Sequence, residues 1–165
     1  SLESIVHHIN KPDQIYYGKA LVQGQYGYSY FKPNENQLDI RYVKNIPIHQ
    51  SILIPKKLLN ITYDSNYKIA GDTEYLIRLF KFNSPIFINE NFVKFYLGGI
   101  SSYQRNTKQL FSYINELNKV KKLLENSNFI CILYVDFLVI FKYLFIKILG
   151  NKIYYLLKKK IWKSV

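Results

Sequence analysis

Residues 129–149 form a nearly unbroken apolar run of 21 residues, of which fifteen are Ile, Leu, Val or Phe. Only Asp136, Lys142 and Lys147 interrupt the apolar and aromatic side chains, and Gly150-Asn151 ends the run. Such a segment has three possible resting places: across a bilayer, along its surface, or against the rest of the chain. Its length is close to the ~20 residues that span a hydrocarbon core. On an insertion scale its aliphatic and Phe residues contribute roughly −5 to −9 kcal/mol, and each charge near the middle opposes this by up to ~3 kcal/mol. The sum is about break-even, so spanning is permitted but not compelled.

The charge lies beside this run. Residues 1–100 hold 11 Lys/Arg against 8 Asp/Glu, whereas residues 101–165 hold 12 against 3. Most of the net +12 therefore belongs to the C-terminal third, which points to an anionic partner. The lysines flank apolar sequence rather than alternating with exposed aromatics on a polar surface. That arrangement favours an anionic membrane surface and argues against nucleic acid. The expectation is attachment to an anionic cytoplasmic leaflet, peripheral or single-span. A single cysteine, Cys131, excludes a disulfide framework and a cysteine zinc site. The sequence contains no methionine, so a processed product or a fragment is expected.

Two regions follow from the patterning, 1–103 and 104–165. In the first, residues 2–10 read as a short helix, 14–22 as a buried strand and 28–32 as a second strand. Residues 56–60 read as one helical turn, and 85–89 and 92–97 as two short strands. Tyr75, Leu76, Leu79 and Phe80 share one face of a helix over 72–82, with Asp72 at its N-cap and Glu74 in its first turn. Glu74 and Arg78 are spaced to pair as solvated neighbours one turn apart. In the second region Leu110, Tyr113, Ile114, Leu117, Val120 and Leu124 make one apolar stripe on a surface helix.

Four pieces carry a further signal when taken in order: Tyr16-Tyr17-Gly18, Pro47-Ile48-His49-Gln50-Ser51, Ile69-Ala70-Gly71-Asp72-Thr73-Glu74-Tyr75, and Tyr96-Leu97-Gly98-Gly99-Ile100-Ser101. At these spacings, over roughly residues 1 to 125, the chain resembles the acceptor-side half of family 2 glycosyltransferases of bacterial polysaccharide synthesis. The resemblance implies an α/β architecture, a partial GT-A (Rossmann-like) fold followed by a C-terminal helical tail. It implies transfer of a sugar from a nucleotide-sugar donor to a glycan or lipid-linked acceptor, with inversion, on the cytoplasmic side of the bacterial inner membrane. It places Asp72 as the general base, His49 and Gln50 at or beside the acceptor site, and Gly98, Gly99 and Ser101 in the bordering loop. Apart from the resemblance, Asp72 reads as a plain N-cap and His49 as a structural histidine.

The complete family enzyme uses a divalent metal, Mn or Mg, held by an Asp-x-Asp motif. This sequence has no Asp-x-Asp and no glycine-rich phosphate loop, and we identify no metal ligands in it. The expectation is a chain that lacks the donor-binding half and is inactive alone. The competing expectation is a non-catalytic, membrane-associated glycan-binding remnant.

Overall fold

A computed structural model describes residues 2–24, 29–32, 46–96, 106–123 and 129–162. In chain order these form α1 (Leu2–Val6), β1 (Tyr16–Gln23), β2 (Ser29–Lys32), β3 (Ile52–Leu53), α2 (Gly71–Phe82), β4 (Ile86–Tyr96), α3 (Thr107–Lys122) and α4 (Phe129–Trp162). Two single 3-10 turns, His49–Ser51 and Lys56–Leu58, flank β3. The architecture is mixed α/β.

β1 is the centre of a small mixed sheet. Along one edge it pairs antiparallel with β3 at Tyr16 and Tyr17, then with β2 from Ala20 to Gln23. Along the other edge it pairs parallel with β4. The sheet is thus three strands wide at either end of β1, and the chain passes through β3 and α2 before returning as β4. A parallel return needs a crossover of this kind, since a tight turn joins only antiparallel neighbours. Central placement explains why β1 (YYGKALVQ) is buried or half-buried throughout.

The sequence suggested two strands over 85–89 and 92–97; the structure has one, Ile86–Tyr96. Asn89-Glu90-Asn91 looks turn-like, but the β1–β4 register shifts around Lys19 absorb the irregularity and pairing resumes beyond it. Gly18 sits at that shift, and a Cβ there would lie 2.1 Å from the Phe92 ring. Only glycine lets β4 pack so closely.

α2 supplies the largest share of the core. Tyr75, Leu76, Ile77, Leu79 and Phe80 join Ile15 and Tyr17 of the sheet side and Leu117 and Val120 of α3 in one cluster. Each such aliphatic side chain contributes about 1.5–3 kcal/mol on full burial. α3 begins at a capping box: Asn106 Oδ1 accepts from the Gln109 N–H at 2.8 Å, and Gln109 Oε1 accepts from the Asn106 N–H.

α4 leans on α3. Lys121 Nζ and Asp136 Oδ1 are 2.6 Å apart, with the lysine side chain buried and the aspartate largely so. Further along, the Thr107 and Tyr143 hydroxyls are 3.1 Å apart, so the two helices run in opposite senses. The charge that interrupts the apolar run at Asp136 is therefore neutralised within the protein. Among the described residues no helix is long and apolar enough to cross a membrane, so the single-span form of the expected attachment has no support. At Gly150 the helix bends through φ 80, ψ 158, a conformation that favours glycine.

Candidate functional site

The loop entering α2 decides where Asp72 points. The Glu116 carboxylate of α3 reaches this loop and accepts from the backbone N–H groups of Ile69 at 2.9 Å and Ala70 at 2.8 Å. Ala70, not Asp72, is the N-cap, and no side chain caps the helix from that position. Asp72 is the second residue of α2 and is exposed. The expected N-cap role is thus corrected, because a carboxylate from a helix 46 residues away orders the entry to α2 instead.

The freed Asp72 carboxylate has a different partner. Tyr63 donates its hydroxyl to Asp72 Oδ1 at 3.0 Å. The Tyr63 ring stacks on Tyr75, with centroids 4.4 Å apart and planes inclined by 10°. His49 stands edge-on to both rings, 5.8 Å from each. Tyr75 is buried in the core and Tyr63 is 47% exposed, so the pair joins a fixed inner ring to an outer ring that meets solvent. Tyr63 stays in place through the turn that follows it. There Asp64 Oδ1 accepts from the Asn66 N–H at 2.9 Å, and the Asp64 carbonyl accepts from the Tyr67 N–H at 3.1 Å.

The electrostatics follow from this geometry. Burial raises the Tyr63 phenol above its ordinary range, and the negative charge of Asp72 and the hydrogen bond to it add to the effect. Tyr63 therefore keeps its proton at neutral pH and donates it to Asp72 Oδ1. Asp72 also lies in the first turn of α2, where the helix dipole favours a negative charge. The arrangement offers an exposed carboxylate beside an aromatic wall. It can accept a hydroxyl proton from a ligand that rests on the wall.

Of the residues singled out from sequence, the structure brings Asp72 to Tyr63 and His49 to both rings of the Tyr63–Tyr75 stack. Gln50 is exposed on the same 3-10 turn as His49. Ser51 is buried and donates to the Ile48 carbonyl at 2.8 Å, which fixes that turn. Gly98, Gly99 and Ser101 lie outside the described residues. Tyr63 and Glu116 were not singled out: one falls in a polar loop without periodicity, the other on the polar side of an amphipathic pattern. Glu74 and Arg78 do pair, but the pair is not a solvated one. Glu74 is buried and held by two guanidinium N–H groups, Nε to Oε1 and Nη2 to Oε2, and Nη2 also donates to the Thr62 carbonyl at 2.7 Å. Its role is structural, on the inner side of α2.

Among the described residues no three or more His, Cys, Asp or Glu side chains group so as to hold a metal ion. The divalent ion that the resemblance implies finds no ligand set there. No family model, curated protein or solved structure matches the chain.

Proposed function

We propose that this chain carries the acceptor-side part of an inverting glycosyltransferase of the GT-A type. The enzyme would transfer a sugar from a nucleotide-sugar to a glycan or lipid-linked acceptor of a bacterial cell-surface polysaccharide. The single observation that supports this reading is the Tyr63–Asp72 contact on a stacked tyrosine pair. A sugar ring has an apolar C–H face that fits the exposed side of an aromatic ring, and hydroxyls around its rim that a carboxylate can accept from. In this reading the acceptor sugar rests beside Tyr63, with one hydroxyl at Asp72. Asp72 takes that proton as the oxygen attacks the anomeric carbon. The bond from that carbon to the nucleotide diphosphate breaks in the same displacement, and configuration inverts. Tyr63 holds the carboxylate in position, and His49 buttresses the two rings.

Residues 1–125 joined behind the nucleotide-binding half of a complete family 2 enzyme give the test. In a hybrid that transfers sugar, Asp72→Asn should lower turnover by roughly 10²–10⁴-fold, the usual contribution of a general base. Binding of the donor nucleotide should persist. A hybrid that keeps its full rate with Asn at this position would remove Asp72 from the chemistry. Binding of glycan without transfer in any hybrid would favour a glycan-binding module instead.

A further inference from the structure

An apolar helix normally hides its surface, and α4 from Phe137 to Leu149 leaves much of it exposed. Phe137, Phe141, Leu144 and Ile148 are 62%, 54%, 48% and 77% exposed. At about 100° per residue these four positions fall within about 60° of one another, one stripe along the helix. The side that carries Asp136 and Tyr143 is the one that meets α3, and the stripe faces away from it. Lys142 and Lys147 lie about 90–130° to either side of the stripe. Beyond Gly150 the chain turns back, so that the Tyr154 ring lies 5.9 Å from both the Phe145 ring and Lys142 Nζ, and Ile153 and Leu157 are exposed there.

We propose that this outward face of α4 rests on an anionic lipid surface, with the stripe among the acyl chains and the lysines at the headgroups. Charge selects this occupant. From residue 137 to 162 there are six lysines and no aspartate or glutamate. The nearest acid in the helix, Asp136, is spent on Lys121. A second copy of the chain laid on this face would bring the six lysines of each helix into mutual repulsion, since residues 137–162 carry no acid. A leaflet rich in acidic lipid matches both features: it takes an apolar stripe of any shape, and it attracts each lysine near its surface. Lysine stems of this length reach sideways to the headgroups while the stripe is immersed. The bend at Gly150 divides the contact into two helical segments, each presenting apolar residues. This attachment is independent of the glycosyltransferase reading.

Co-sedimentation of the full chain with vesicles tests it. Binding is expected to phosphatidylcholine vesicles containing phosphatidylglycerol, and much less to phosphatidylcholine alone. Phe141→Glu with Ile148→Glu should lower partition at least about tenfold, since two apolar anchors are replaced by charges repelled by the surface. Lys142→Gln and Lys147→Gln should each cost about fivefold, a loss that disappears in high salt. Circular dichroism checks that the glutamate variant stays folded; should it unfold, the lysine variants decide. Absence of binding to anionic vesicles, or binding that ignores both sets of substitutions, overturns the proposal. A dimer in light scattering that Phe141→Glu dissociates overturns it as well, in favour of a second copy on this face.

Discussion

The Tyr63 hydroxyl donates to Asp72 Oδ1 across 3.0 Å, and the two residues belong to different segments, a turn and the first turn of α2. The contact exists because neither side chain is needed for the helix end. Glu116 Oε2 accepts from the Ile69 and Ala70 N–H groups there, and Asp72 stays at the surface as an acceptor.

Asp72 and Glu116 should therefore differ sharply in what they contribute to stability. Asp72→Asn is expected to cost less than about 1 kcal/mol, the scale of a surface charge on a helix dipole. Glu116→Ala leaves the Ile69 and Ala70 N–H groups without their acceptor, at about 1–3 kcal/mol for each such group left unsatisfied. Urea denaturation of the two variants measures the difference.

The Tyr63 phenol ionises above its ordinary range in the folded chain. Its contribution to stability is thus complete below about pH 10, the value in the unfolded chain, and is lost as pH rises towards the folded value. Tyr63→Phe should be less stable than the parent at neutral pH. The gap should narrow above about pH 10, which thermal melts at matched pH values would record.

Glu74 and Arg78 form an internal tie rather than a surface pair. Arg78→Ala leaves a buried carboxylate uncompensated and should cost about 3 kcal/mol, the lower end for such a loss because the guanidinium is partly exposed. Glu74→Gln keeps the volume and should cost less. In a transferring hybrid it should leave turnover close to the parent rate once stability is allowed for.

Much of this was legible in the sequence and some was not, for identifiable reasons. The apolar spacing of Tyr75, Leu76, Leu79 and Phe80 marked α2, because a helix that faces a core carries its own period. Gly150 marked the bend in α4 for the same local reason. The N-cap was placed two residues late because the Ala70 carbonyl already accepts from the Glu74 N–H, and Glu116, far away in sequence, holds the Ile69 and Ala70 N–H groups so that the helix starts there. β4 was divided in two because Asn89-Glu90-Asn91 lacks strand character, and only its parallel pairing with β1 carries it through. Asp72 and His49 were named from the motif pattern. Their meeting at Tyr63 depends on a loop fold that no periodicity announces.

The junction of α3 and α4 rests on Lys121 and Asp136. Asp136→Ala alone should destabilise the chain by about 3 kcal/mol, the lower end for such a loss, since the buried Lys121 ammonium loses its counter-charge but keeps Asn118 Oδ1 as an acceptor at 3.1 Å. Lys121→Met combined with Asp136→Leu should recover most of that loss, as apolar replacement of a buried pair often does. Thermal unfolding of the single and double variants distinguishes this from a surface pair, for which all three would melt together.

The most direct measurement of the central claim is a titration of the purified chain with bacterial surface oligosaccharides, followed by NMR of the tyrosine and histidine rings. If Asp72 and the Tyr63–Tyr75 pair form an acceptor site, binding shifts the Tyr63, Tyr75 and His49 ring resonances, and Tyr63→Ala abolishes those shifts. Glycan binding that leaves all three rings unmoved, or that survives Tyr63→Ala unchanged, would place the acceptor elsewhere and contradict the account.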